Sequence, residues 1–230
     1  MFTILLNGLG ICMGTLLGCI FKKYSSEKVS RAIISVIGLQ LLVMGIKDAV
    51  KYENPMINIV YLVVGTVIGE ILNIDGNLNN FGNMIQKKFG GKNIGNNMVQ
   101  GFVTATLIFC IGSMAILGSV KIALENDSTI IYVKTILDTV MAGILASTYG
   151  IGVIFSAGAV VVYQGLIFLL GNFLAAAADS QILNQISTIG GVLLAGLAFT
   201  LLFDNKNIKV TNMLPAMFLP VIAAVIKSIV

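Results

Sequence analysis

The chain has 230 residues, 57% of them hydrophobic and only 10% charged, with a net charge of +4 and a mean hydropathy of +0.97. Soluble domains carry about 25% charged residues, so this chain is too poor in charge to cover a water-facing surface and reads as a multi-spanning membrane protein. It has no histidine, and Cys12, Cys19 and Cys110 lie in apolar runs without CxxC spacing, which excludes histidine-based catalysis and argues against a zinc site or disulfide framework.

The apolar runs and their breaks predict an all-α polytopic membrane protein of about eight spans, at roughly 2–20, 32–50, 56–74, 99–121, 130–147, 150–174, 183–203 and 210–228. The first run has its positive charges after it and no basic segment before it, so it reads as a retained span and not a cleaved leader. Lys22-Lys23-Tyr24-Ser25-Ser26-Glu27-Lys28 ends that span, and Lys51-Tyr52-Glu53-Asn54-Pro55 separates the second from the third. Residues 75–97 are the longest polar stretch and read as a Gly/Asn-rich loop. Glu125-Asn126-Asp127 follows the fourth span. Residues 130–178 lack a strong polar break. As one helix they would extend about 70 Å, far beyond a hydrocarbon core of about 30 Å. The chain is therefore expected to reverse at Ser147-Thr148-Tyr149-Gly150-Ile151-Gly152.

Eight crossings with both termini extracytoplasmic put Lys22, Lys23, Lys28, Arg31, Lys87, Lys88, Lys92, Lys206 and Lys209 on one side. Lys47, Lys51, Lys121, Lys134 and Lys227 fall on the other, a split of 9 against 5 that the positive-inside rule makes the cytoplasmic bias. The lysines orient the protein; they do not indicate nucleic-acid binding. One domain, 1–230, contains a weak internal echo. Ile34-Ser35-Val36-Ile37-Gly38 matches Ile186-Ser187-Thr188-Ile189-Gly190, and Asn54-Pro55 corresponds to Asn212 to Pro215. Spans 1–3 and 6–8, within units 1–75 and 147–230 linked by 97–147, would then form an inverted repeat.

Chemistry concentrates in few places. Span 4 carries Gly112-Ser113 and Gly118-Ser119. These small residues serve close helix packing, or they break the helix and free backbone groups to line a cavity. Tyr149 to Gly158 has the same character. Asp138 lies inside a span, one turn after Lys134. Either the two pair near the interface with the lysine reaching outward, or Asp138 is a cation or proton ligand. Glu70 lies close to the end of span 3 and reads as interfacial. Asn7, Gln40 and Gln164 are uncharged polar groups inside spans, and interhelical hydrogen bonds account for them at least as well as solute contact.

The run Phe109-Cys110-Ile111-Gly112-Ser113-Met114-Ala115-Ile116-Leu117-Gly118-Ser119, followed by Lys134-Thr135-Ile136-Leu137-Asp138, Tyr149-Gly150-Ile151-Gly152-Val153 and Tyr163-Gln164-Gly165, resembles a bacterial membrane family. Gly190-Gly191 and Asn212-Met213-Leu214-Pro215-Ala216 complete the pattern. The family is the uncharacterised one typified by YdfK and YqgA, domain of unknown function 554. The resemblance covers nearly the whole chain. It departs only in a short polar linker after Leu124 and an Asn/Lys-rich central loop. It implies a polytopic plasma-membrane protein and supplies no activity.

The function these features favour is secondary transport of a small solute or ion, coupled to Na+ or H+ and needing no other cofactor. Ser113, Ser119, Asp138, Ser156 and Gln164 are the expected lining and Asp138 the coupling group. A homodimer is expected, since a moving part of so small a scaffold needs something to move against. A channel is the alternative, and a non-transporting membrane module that binds a partner is a third. An intramembrane enzyme is not expected: Ser113 has no evident base and Asp138 no second acid at comparable depth.

Overall fold

The computed structural model describes residues 1–22, 26–52, 54–89, 97–171, 179–203 and 207–229. Lys23, Lys92 and Lys206, counted above for orientation, lie outside the described residues. Among the described residues the chain is helical and has no strand. The helices are α1 (Phe2–Lys22), α2 (Glu27–Ala49), α3 (Pro55–Ile71), α4 (Ile74–Phe89), α5 (Asn97–Cys110) and α6 (Ser113–Glu125). They continue with α7 (Thr129–Tyr149), a 3-10 turn (Ile151–Ile154), α8 (Phe155–Leu169) and α9 (Ser180–Phe203). The single turn α10 (Val210–Met213), a 3-10 turn (Leu214–Phe218) and α11 (Leu219–Ile229) complete the chain.

Local signals set the ends. Ser26 Oγ accepts from Val29 N at the start of α2, and Asn54 Oδ1 accepts from Met56 N and Ile57 N ahead of Pro55 in α3. These satisfy amides that have no partner within the helix. Asn126, at φ 55°, closes α6 in the left-handed region. In the short link to α7, the Thr129 hydroxyl and amide beside Asp127 hold its carboxyl below the usual carboxylate range.

Five helices (α1, α2, α7, the 3-10 turn with α8, and α9) are long and apolar enough to cross a membrane. The number rises to seven if the bent pairs α3–α4 and α5–α6 each count as one span, and Val210–Ile226 is a shorter apolar stretch. Large apolar side chains face outward: Ile59, Val60, Val63, Val67 and Ile71 of α3 are all more than half exposed. In water such a surface would drive association; in a bilayer it is the lipid face. Asn7, Lys134, Asp138 and Gln164 are buried instead.

One expectation needs correction. Residues 74–89, read as loop, form α4, because Asp75, Asn79 and Asn83 fall one turn apart and give the polar stretch a single wet face. It leaves α3 at a 49° bend through Asn73, at φ 46°. Of the two readings of the fourth span, the structure has the broken helix: two half-helices, α5 and α6, meet at 60°. Gly112 holds the joint at φ 132°, ψ 147°, with no side-chain cap on the amides that open α6.

Small residues let the backbones touch. Lipid is as apolar as the helices, so association rests on close packing. In α1, Gly10 lies against Thr135 and Thr139, Gly14 against the Thr139 carbonyl and Gly18 against Gly143 and Ala146. Thr3 Oγ1 meets Ser128 Oγ at 2.8 Å. α1 and α7 therefore run parallel. α2 and α9 run antiparallel, with Gly38 against Leu202, Gly45 against Ala195 and Gly191, and Asn184 Nδ2 donating to the Lys51 carbonyl. α3 runs antiparallel to residues 210–218, Gly65 meeting Ala216 and Gly69 meeting Asn212. α1 and α8 are also antiparallel, Gly8 facing Val161 while Lys22 reaches Gly150.

Candidate functional site

Asp138 sits near the middle of α7, between Thr129 and Tyr149, and is 6% exposed. Its Oδ2 accepts from Lys134 Nζ at 2.6 Å and from Asn7 Nδ2 of α1 at 3.1 Å. Asn7 Nδ2 also donates to Gln164 Oε1 of α8 at 3.2 Å. Lys134 is itself 6% exposed, enclosed among the helices, with Nζ 5.9 Å from the centre of the Phe109 ring. Phe109 is the next-to-last residue of α5, so the network abuts the half-helix that ends at the Gly112 joint. Of the two readings of Lys134 and Asp138, the pair is present, but the lysine is buried and does not reach outward.

The amide orientations follow from charge. Asn7 must turn its NH2 toward the carboxylate, since the opposite flip would set two acceptors face to face. Gln164 must then offer its oxygen to Asn7. This leaves Asn7 Oδ1 and Gln164 Nε2 buried with no hydrogen-bond partner among the described residues. Each such group costs about 1–3 kcal/mol. The cluster thus keeps one acceptor and one donor unused beside an ion pair that is taken out of water, an arrangement suited to a small ion or polar group that completes it.

The other expected residues are placed differently. Ser119 Oγ donates to the Ala115 carbonyl and Ser156 Oγ to the Val153 carbonyl, each at or near 2.8 Å within its own stretch of chain. Both are buried and neither makes a hydrogen bond to Asp138 in this arrangement. Ser113 opens onto a separate recess of about 520 Å³ with Lys51, Asn184 and Ser187. The expected lining is therefore divided: Asp138 and Gln164 come together, and the serines do not join them. The 149–158 segment also differs from a mid-membrane break. Gly150, at φ 84°, ends α7 next to the end of α1, and the chain turns there into α8. Glu70 is half-exposed and faces Lys209 at 3.7 Å.

Interhelical hydrogen bonds are one of the two readings of Asn7 and Gln164, and both residues make them. The sequence spacing pairs Lys134 with Asp138, as the structure does, but does not join the four residues into one cluster. The usable signal for Asn7 was an amide in an otherwise apolar run. For Lys134 it was the four-residue spacing to Asp138 combined with apolar neighbours on both sides.

No solved structure matches the chain. The model for proteins of unknown function designated DUF554 matches residues 2–225. The chain is 30% identical over 224 residues to the uncharacterized membrane protein YdfK of Bacillus subtilis (strain 168), covering 96% of this chain and 94% of that one. It is 25% identical over 217 residues to the uncharacterized protein YqgA of Escherichia coli (strain K12), covering 93% of this chain and 92% of that one. Its apolar helices and these likenesses make it a membrane protein, and it belongs to the DUF554 family.

Proposed function

We propose that the protein is a secondary transporter that moves a small polar solute or ion across the plasma membrane, coupled to Na+ or H+ through Asp138. The observation that carries this reading is the incompletely satisfied network of Asn7, Lys134, Asp138 and Gln164, set beside the broken helix α5–α6. Buried ionisable groups are costly in a bilayer and mark ion pathways. Interrupted backbone is tolerated there only inside protein or along a cavity. A cation at the site would compete with Lys134 for the Asp138 carboxylate; a proton would neutralise the carboxylate and loosen the pair. Either event changes how α1, α7 and α8 are held together.

The antiparallel pairing of α1 with α8, α2 with α9, and α3 with residues 210–218 supports an inverted repeat. It also supports eight alternating crossings, with α5–α6 as one of them. The cytoplasmic bias of the lysines favours both termini outside. A homodimer belongs to the same proposal and is tested by cross-linking in native membranes.

The direct test is a solute screen by thermal stabilisation of detergent-purified protein, with and without Na+ and across pH, followed by uptake into proteoliposomes. Asp138→Asn should abolish the dependence of uptake on the ion gradient while the protein still elutes as a single folded species. Undiminished ion-driven uptake in that variant would remove Asp138 from the mechanism.

A further inference from the structure

The recess at Ser113 has a counterpart at the other end of the bundle. A cleft of about 560 Å³ is lined by Asp75, Asn79, Gln100, Thr104, Thr200 and Thr211, among others. Both are walled by the same two elements. The Ser113 recess takes the first turns of α9 (Ser180 to Ser187) and the start of α6. The cleft takes the last turns of α9 (Leu197 to Leu201) and α5 from Val99 to Leu107. From Ser187 to Leu197 is about 15 Å of helix.

The intervening stretch is closed by Ile111, Leu193, Leu194 and Met217, all buried. A methyl placed on Gly190 would lie 3.7 Å from Gly112 Cα and 3.5 Å from Met217 Cε. Two bare backbones therefore lie close to each other with one flexible thioether beside them, a side chain that repacks readily.

We propose that the recess and the cleft are the two ends of one solute path between α5–α6 and α9, closed where Gly112, Gly190 and Met217 meet. The path rests on the transporter reading and specifies its route. Its walls mix amides and hydroxyls with valines and leucines, with Lys51 at one end and Asp75 and Lys209 at the other. That lining fits a small solute rich in hydrogen-bonding groups, a polyol or a zwitterion. Asp138 lines neither chamber. It stands behind the end of α5, with Lys134 against Phe109, so ion and solute occupy separate sites, and the half-helix between them transmits the state of one to the other.

The test is sided thiol labelling in a full-length chain with Cys12, Cys19 and Cys110 changed to Ala, in right-side-out and inverted membrane vesicles. The probe is a membrane-impermeant methanethiosulfonate. Ser187→Cys should label from one face and lose labelling from the other, and Thr200→Cys should show the reverse. Gly190→Cys should react from both faces, more slowly. Met217→Cys serves as a second reporter of the closure should Gly190→Cys misfold. Labelling of Ser187→Cys and Thr200→Cys from the same face would overturn the path. So would a closure inert from both faces at both reporters in folded protein. The labelling needs no solute, so its failure is distinct from a failure of transport. Opposite-face labelling without solute flux would instead overturn the transport reading alone.

Discussion

Replacing Lys134 alone by Met is expected to destabilise the folded protein by about 3–5 kcal/mol, the usual result of breaking a buried ion pair from one side. The substitution keeps the length of the side chain but leaves Asp138 a carboxylate out of water, held only by the Asn7 amide. Asp138→Leu should cost a similar amount for the mirrored reason, a buried ammonium without its partner. Together the two changes replace the pair with apolar groups of similar volume, and the double variant should recover most of the loss. It should not recover all of it, because Asn7 then loses one of its two acceptors. Thermal unfolding of the four proteins in detergent gives the cycle. A Lys134→Met protein as stable as the parent would show that Asp138 is already neutral or has another cation, and the ion-pair account of the site would fail. Stability and transport should also part company here, since a double variant that folds well should still lose ion coupling.

Gly14→Val is expected to be among the most damaging single changes outside that network. A Cβ at this position lands on the Thr139 carbonyl of α7, and backbone cannot step aside as a side-chain tip can. Overpacking costs about 1–3 kcal/mol, and more where repacking is blocked. The α1–α7 seam also carries Asn7 to Asp138, so separating the helices would open the network too. Yield and monodispersity after solubilisation should fall steeply. Gly158→Ala is the control: nothing lies within 4 Å of its added Cβ, and α8 should gain from the better helix former. Equal behaviour of the two variants would contradict the parallel α1–α7 packing.

The legible part of this protein was whatever depends on one segment at a time. Apolar run length and the polar breaks placed α1, α2, α7 and α9 close to where they occur. The reversal at Gly150 followed from the impossibility of a single helix spanning residues 130–178. What depends on two segments was harder to read. The four-residue spacing of Lys134 and Asp138 indicated a pair but not its depth, because depth is set by α1 and α8 closing over it. Asn7 became the hub only once Gly8, Gly10 and Gly14 had brought α1 against its neighbours. Ser119 and Ser156 carry a related ambiguity. A hydroxyl in an apolar helix can bond its own backbone, and a sequence does not distinguish that from a hydroxyl facing a cavity. α4 escaped because its polar face is supplied by asparagines, which are weak helix formers.

Counterflow reads carrier-mediated translocation itself. Proteoliposomes are loaded with a high concentration of an unlabelled solute found by the stability screen and diluted into a trace of the labelled form. A transient accumulation of label above equilibrium is expected, because a gate that opens to one side at a time exchanges solute for solute. A monotonic approach to equilibrium without overshoot would mark an open pore, and no protein-dependent entry of any stabilising solute would contradict translocation itself.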